Sequence, residues 1–351
     1  MPRRSRLALI GAGIMGRHHL AVAMANPEFE VVGVADPTAA ALEVHRSKGL
    51  AVFEDHRRML DELRPDCAVI ATPNAYHVPA AVDCIERGVA ALVEKPVGDT
   101  MVAVRTLSAA VAGSAVPVLV GHHRRHNPLL RAAANHVAAG GIGKLVATVG
   151  LWLRRKPDEY FRESWKMQSA GGGVLLINTI HDFDCLRMIC GEIESVQAMT
   201  SNATRGYDVE DTAAICLRFV GGALGTITVS DATVAPWCWE MTSQEDPRFA
   251  HVPENSYLVC GSTGSLAVPT LESWSNAPNG GREAAFSRQR LYYVAADSMT
   301  EQMAHFARVV RREEPPLVGV DDAAHTLAAT LAVSRSAKLG RAVSLAEMLE
   351  G

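Results

Sequence analysis

The amino-acid sequence predicts a two-domain chain: an α/β domain on a parallel sheet, then an α+β domain on an open, mostly antiparallel sheet. Three observations lead there. At 351 residues the chain exceeds what one hydrophobic core usually holds. In its first third, short wholly apolar runs alternate with segments of helical length, as in strands covered on both faces and joined by crossover helices. Beyond residue 125, strand-like runs dominate and helices are few. The boundary is placed there, giving domains 1–124 and 125–351, with the closing helices expected to be able to pack back on the first domain.

In order along the chain, Leu7–Ile10, Val31–Ala35, Cys67–Ala71, Ala90–Val93 and Val116–Val120 read as parallel strands. Ala39–Lys48, Ala75–Arg87 and Thr100–Ala112 read as the helices between them. Leu129–Ala139 is a helix ending in the Gly140–Gly141 turn. Strands follow at Leu145–Leu153, Ser195–Thr200, Ala213–Phe219, Leu224–Ser230 and Tyr257–Cys260, with one helix, Val174–Cys190, inserted among them. Ala232–Ser256 and the Pro- and Gly-rich Pro269–Arg282 read as loops, and helices near 298–312 and 321–338 close the chain.

Composition narrows the partners. A net charge of −4 leaves no basic surplus for nucleic acid. The run Arg124–Arg125 among His122, His123 and His126 suits a small anion better than a polymer. Seven scattered cysteines, with no Cys-x-x-Cys pair, read as reduced thiols of a cytoplasmic protein. No apolar stretch reaches the roughly 20 residues that a membrane span needs. The basic opening, Arg3-Arg4-Ser5-Arg6, is followed by too short an apolar run for an export signal.

Gly11-Ala12-Gly13-Ile14-Met15-Gly16 lies between the first strand and a helix. The first glycine permits the tight turn, the second lets a pyrophosphate approach the backbone, and the third allows close helix–strand packing. The anion then sits on the helix N-terminus. Asp36, 20 positions past Gly16 at the end of the second strand, is placed to accept hydrogen bonds from ribose hydroxyls and to repel a 2′-phosphate. The cofactor is therefore read as NAD rather than NADP; capping the next helix is a compatible role for the same carboxylate.

Glu94-Lys95-Pro96 ends the parallel strand Ala90–Val93, where such sheets bind ligands; alone, a charged strand end before proline is an ordinary turn. In combination, the glycine turn, Thr72-Pro73-Asn74 with His77, Glu94-Lys95-Pro96, the run Gly121 to Pro128, Gly171-Gly172-Gly173, His181 with Asp184, and Ser334 to Gly340 resemble the Gfo/Idh/MocA family, that of glucose–fructose oxidoreductase and inositol dehydrogenase. The resemblance covers nearly the whole chain. It implies a Rossmann domain followed by a substrate-binding and oligomerisation domain. It also implies hydride transfer between nicotinamide and a secondary alcohol of a sugar, polyol or other cyclic alcohol. Thr72, Pro73, Asn74, His77, Glu94, Lys95 and Pro96 are implied to line the cofactor, with Lys95–Pro96 expected cis. Lys95 and His181 are implied to act on the substrate hydroxyl, and homodimers or homotetramers to form through an exposed sheet face.

One position departs from the family pattern. The aspartate that many members carry four residues before the histidine is Ile177 here. Asn178 is the candidate replacement, either orienting the His181 ring or holding a substrate hydroxyl. Asp184 is either another partner of His181 or a helix-surface carboxylate. Arg124 is a candidate for a substrate carboxylate, with structural ion pairing as the other reading for the arginine pair. Tyr160 and Trp165 either wall the substrate pocket or pack in the core. His18 and His19 read as packed against the sheet or cofactor edge, and no metal site is expected. A short-chain dehydrogenase is excluded, because none of the six tyrosines has a lysine four residues on. A non-catalytic, dinucleotide-responsive regulator is the alternative, kept open by the lost aspartate.

Overall fold

The computed structural model describes residues 3–169, 171–276 and 283–351. They form two compact units: Met1–His126 with Asp297–Ala324, and Asn127–Ala296 with His325–Gly351.

The first unit is built on six parallel strands, β1 (Ser5–Ile10), β2 (Phe29–Ala35), β3 (Ala51–Phe53), β4 (Cys67–Ile70), β5 (Ala90–Val93) and β6 (Val118–Val120), in the order β3-β2-β1-β4-β5-β6. The order reverses beside β1, between β1 and β4, the switch point where such sheets take their ligands. Helices α1 (Ile14–Ala25), α2 (Ala39–Arg46), α3 (His56–Leu63), α4 (His77–Glu86) and α5 (Met101–Ala112) connect the strands. The strands are apolar because both faces are covered: Leu7, Leu9, Val69, Leu92 and Leu119 are at most 1% exposed. β3 and α3 were absent from the sequence reading. β3 is a three-residue, half-exposed edge strand, and α3 buries little more than Met59 and Leu60 behind its Asp55 cap.

The second unit opens with α6 (Pro128–Ala138), whose N-terminus is capped by Asn127, Oδ1 accepting from the Leu129 amide at 2.9 Å. There follow β7 (Leu145–Leu153), α7 (Ile180–Cys190), β8 (Ile193–Ser201), β9 (Thr212–Phe219), β10 (Leu224–Ser230), a single turn α8 (Trp239–Thr242), β11 (Tyr257–Gly261), β12 (Gly264–Val268), β13 (Glu272–Asn276) and β14 (Phe286–Arg290). Then come α9 (Ser298–Val310), which belongs to the first unit, α10 (Val320–Leu339), β15 (Val343–Ser344) and α11 (Leu345–Glu350). The nine-stranded sheet runs β14-β13-β12-β11-β7-β10-β9-β8-β15 and is antiparallel apart from the β7–β10 pair. α9 joins the first core through Met303 and Phe306, the latter stacking on Phe29 at 6.1 Å.

Two loop expectations need correction. Pro269–Arg282 contains β13, a polar strand whose Ser and Asn content imitates a loop, while 277–282 lie outside the described residues. Ala232–Ser256 contains the turn α8. One face of the large sheet packs inward. The other carries exposed cross-strand rows such as Leu258–Val149–Thr226–Cys216–Gln197, uncharged across these five strands. Among the described residues no helix is long and apolar enough to cross a membrane.

Candidate functional site

In the first unit the glycine turn has the geometry its spacing requires. Gly11 sits at φ +94°, and a Cβ there would lie 2.6 Å from the Ala71 carbonyl; a Cβ on Gly16 would collide with the Gly11 carbonyl at 1.9 Å. Both therefore hold α1 against the strand ends. Around Gly13, by contrast, a Cβ would meet nothing within 4 Å. α1 carries no side-chain cap and no acidic residue in its first turn, so its leading amides and dipole face that open side, where Ile14 and half-buried Met15 begin the helix. This fits the pyrophosphate of a dinucleotide. Asp36 accepts from the Ala12 amide through Oδ2 and from the Thr38 amide through Oδ1, both at 2.8 Å. A carboxylate offers about four acceptor positions, so it can still take ribose hydroxyls.

The two loops at the ends of β4 and β5 are joined by His77. It is 1% exposed, with Nδ1 2.7 Å from the Pro96 carbonyl and Nε2 2.8 Å from the Thr72 carbonyl. Both ring nitrogens thus serve backbone, and His77 acts as a strut between the Thr72-Pro73-Asn74 and Glu94-Lys95-Pro96 segments. Burial pushes its pKa down, opposed by those two carbonyls and by Glu94. The Lys95–Pro96 peptide is cis, as the family resemblance implied. Glu94 is 4% exposed; its Oε1 lies 2.6 Å from His19 Nε2, and its Oε2 accepts the Lys95 amide at 3.0 Å. Burial alone would raise its pKa. The hydrogen bond and charge of His19, then Lys95 and His123, outweigh burial and bring it to about 2. His19 is therefore packed inside the sheet end, paired to a carboxylate. Lys95 itself is half-buried.

Arg124 lies in a 3-10 turn, His123–His126, and is 3% exposed. Arg125 pairs with Asp322 at 3.6 Å, the structural role foreseen as one reading of the arginine pair. His126 Nε2 and His305 Nδ1 are 2.9 Å apart. Among the described residues no cluster of three His, Cys, Asp or Glu side chains could hold a metal.

In the second unit, Gly171 and Gly173 take positive φ, and a Cβ on Gly172 would lie 2.6 Å from three carbonyl oxygens of the 165–168 turn. The run thus docks tightly before the helix that carries His181. That helix is not regular: Leu175–Thr179 is wound as a π-helical turn before α7 starts at Ile180. The three-residue spacing from Asn178 to His181 consequently does not have its α-helical meaning. Asn178 Oδ1 is buried and has no hydrogen-bond partner, so it is not the acceptor that orients the histidine. His181 is 7% exposed at the second position of α7. Asp182 is fully buried and accepts from Tyr257 Oη at 2.5 Å.

The surface reading of Asp184 is wrong. It is 1% exposed and accepts from Thr326 Oγ1 at 3.1 Å, in a network that includes Arg187. The core reading of Trp165 is also wrong: the ring is 44% exposed, its Nε1 donating to Glu163. Tyr160 is half-buried between two ammonium groups, Lys166 at 4.0 Å and Lys156 at 4.5 Å from its ring centre. Burial, then the charge of Asp231, pushes its phenol to about 12. The sequence reading missed Arg154, Lys156, Arg205, Glu210 and Asp231, which gather beside these residues. The only available signal was period two, because Trp152, Arg154 and Lys156 project to one face of an extended chain.

Family models match both units: the NAD-binding Rossmann-fold domain of the oxidoreductase family over residues 5–122 and the GFO/IDH/MocA C-terminal domain over residues 130–267. An inositol 2-dehydrogenase of Rubrobacter xylanophilus is 31% identical over 76% of this chain and 72% of its own length. The scyllo-inositol 2-dehydrogenase (NAD(+)) of Bacillus subtilis is 26% identical over 98% of this chain and 97% of its own. The rhizopine catabolism protein MocA of Rhizobium meliloti is 32% identical, over 57% of this chain and 62% of its own length. Among solved structures, an oxidoreductase from Agrobacterium radiobacter in complex with NAD+, L-tartaric acid and magnesium superposes with a TM-score of 0.81 at 19% identity, covering 99% of this chain and all of that one. The myo-inositol 2-dehydrogenase of Lactobacillus plantarum superposes at 0.78 and 20% identity, covering 97% and 99%. The two matched domains, the uncapped α1 with Asp36, and the whole-chain likeness agree: the chain belongs to the Gfo/Idh/MocA family of NAD-binding oxidoreductases.

Proposed function

We propose that this oxidoreductase oxidises a secondary alcohol of a sugar, polyol or other cyclic alcohol, with Lys95, His181 and Asn178 as its substrate-handling residues. Bound NAD supplies the hydride acceptor. The chain's own work is to hold the hydroxyl and remove its proton. Lys95, half-buried at the end of β5, and His181, at the start of α7, are the proton acceptors of this reading. The observation that carries it is the buried, unpaired Oδ1 of Asn178, because a buried acceptor without a partner is costly and a substrate hydroxyl satisfies it. Relatives named for inositol, D-apiose and 1,5-anhydro-D-fructose support the polyol class. The regulator alternative receives no such support. NAD is preferred over NADP because the Asp36 carboxylate at the end of β2 would accept ribose hydroxyls and repel a 2′-phosphate. We assign Thr72, Pro73 and Asn74 to the nicotinamide side, with His77, Glu94 and Pro96 shaping that wall, and Arg124, Tyr160, Trp165 and Asp184 to the substrate side. NADH formation across a panel of cyclic alcohols and sugars tests the reading; NAD binding with no turnover of any member overturns it.

We further infer a homodimer or homotetramer through the outer face of the large sheet, whose middle strands carry the uncharged row Leu258–Val149–Thr226–Cys216–Gln197 and also expose Met199. Light scattering of the wild type and of Thr226→Arg tests this; an unchanged mass in the variant refutes it. Seven unbridged cysteines favour a reducing, cytoplasmic setting.

A further inference from the structure

Strand β7 ends in an unusual way. Its inward face carries Thr148, Gly150 and Trp152, and the same alternation continues past the last sheet residue to Arg154 and Lys156. The extension is pinned rather than loose. The Arg154 amide bonds to the Ser230 carbonyl at 3.0 Å and the Lys156 amide to the Asp231 carbonyl at 2.8 Å. Two cations are thus aimed along the core side of the sheet.

Their charge is poorly matched. The Arg154 guanidinium is stacked between Phe249, 4.3 Å from the ring centre, and Trp152 at 5.4 Å. Its Nη1 is buried without a hydrogen-bond partner, and among the described residues no carboxylate is in ion-pair range of it. Lys156 is 1% exposed, and burial brings its pKa down to about 8. Its carboxylate, Asp231, lies 3.6 Å away and is shared with Arg205 at 2.8 Å. The other nearby acids are occupied: Glu240 accepts the Trp152 indole, and Asp246 is bound by Arg248. Glu210, pushed up by burial, accepts the Leu175 amide. A flat, bidentate donor held by aromatic faces, beside a second desolvated cation, matches a carboxylate.

The place is next to the helix that carries His181. Tyr257, whose hydroxyl bonds to Asp182, pairs in register with Gly150, two residues before Trp152. On the other side, Glu210 touches both the π-helical turn, through Leu175, and the field of Lys156. We propose that the end of β7 is a carboxylate receptor, Arg154 forming the fork and Lys156 the second charge, so that the substrate is a polyhydroxy acid rather than a neutral polyol. This rests on the alcohol-oxidising reading above and narrows it.

The test uses the full chain saturated with NAD and a matched pair of probes, D-gluconate and D-glucitol, which differ at C1 as carboxylate against CH2OH. Calorimetry is expected to show gluconate binding at least about tenfold tighter, the scale of one charge-assisted pair. Arg154→Met, which retains the stacking stem, is expected to bring gluconate down to the level of glucitol. Arg154→Lys is expected to retain part of the preference, and both variants to bind NAD as the wild type does. A wild type that does not prefer gluconate overturns the proposal. So does Arg154→Met with the preference intact and an unchanged melting temperature. Failure of NAD itself to bind the wild type is a separate result, against the dehydrogenase reading.

Discussion

Replacing Glu94 by glutamine isolates the charge of the buried strand-end carboxylate while keeping its shape. The acid is 4% exposed, hydrogen-bonded to His19 at 2.6 Å and to the Lys95 amide at 3.0 Å. Glutamine can still accept the amide with its oxygen and donate to a neutral His19 with its nitrogen. The loss is therefore the charge-assisted part of the bonding. A pKa lowered from 4.5 to about 2 sets an upper bound of roughly 3 kcal/mol at neutral pH, and mutational experience with charged hydrogen bonds suggests ~1–2 kcal/mol. The sign follows from linkage. A depressed carboxylate stabilises the fold fully above its unfolded pKa and loses that contribution as pH falls through the folded value. The gap between wild type and Glu94→Gln is thus widest at neutral pH and shrinks by roughly 1 kcal/mol by pH ~3.5. All five tryptophans lie in the second unit, so their fluorescence does not report this region directly. Hydrogen exchange of a peptide spanning β5 does. It should quicken by roughly 5–30-fold in the variant at neutral pH. Glu94→Ala, which strands His19 in the interior, should cost more, about 3–5 kcal/mol. If Glu94→Gln exchanges like wild type, or as fast as Glu94→Ala, the charge assignment fails.

Lys95→Ala and His181→Ala should each lower turnover by roughly 10²–10⁴-fold with NAD affinity nearly unchanged; lost cofactor binding would mark them as structural. Titration of both cofactors by calorimetry should show NAD binding more tightly than NADP, and Asp36→Ala should narrow the gap; a wild-type preference for NADP refutes the ribose assignment. Asn178→Ala should cost far more activity than Ile177→Val, and Ile177→Asp should move the acidic limb of the pH–rate profile upward by favouring imidazolium. Wild-type kinetics for Asn178→Ala would make that residue a helix filler.

What the sequence made legible was local. Gly11, Gly13, Gly16 and Asp36 are a strand–turn–helix pattern with fixed spacing, and β1, β2, β4, β5 and β6 announce themselves as uninterrupted apolar runs. Lys95–Pro96 was readable through its family resemblance. The non-local features were not. The Glu94–His19 pair joins residues 75 apart, and nothing near either one foretells the other. Asn178 was assigned a helical neighbour because regular winding is the default, and a π turn leaves no clear mark in Leu175-Leu176-Ile177-Asn178-Thr179. The inward placing of Arg154 and Lys156 shows only once β7 is seen to send alternate residues to one face. β13 and β14 were missed because their side chains are largely polar and pack little.

The π-helical turn has a further consequence for how this chain tolerates change. Such a turn holds one residue more than the α-helix it interrupts, so it takes up an extra residue without turning the glycine run upstream away from α7 downstream. Deleting a single residue from 175 to 179 would let the turn relax to ordinary winding with little net rotation, because the residue lost is the one the wider turn accommodates. The glycine run, wedged against three carbonyls, and α7, anchored by Asp182 and Asp184, would both keep their seats. A one-residue deletion is therefore far less damaging here than inside α7, where it would rotate the two sides by about 100°, and an alignment that closes this segment up by one residue still joins flanking side chains that face the same way.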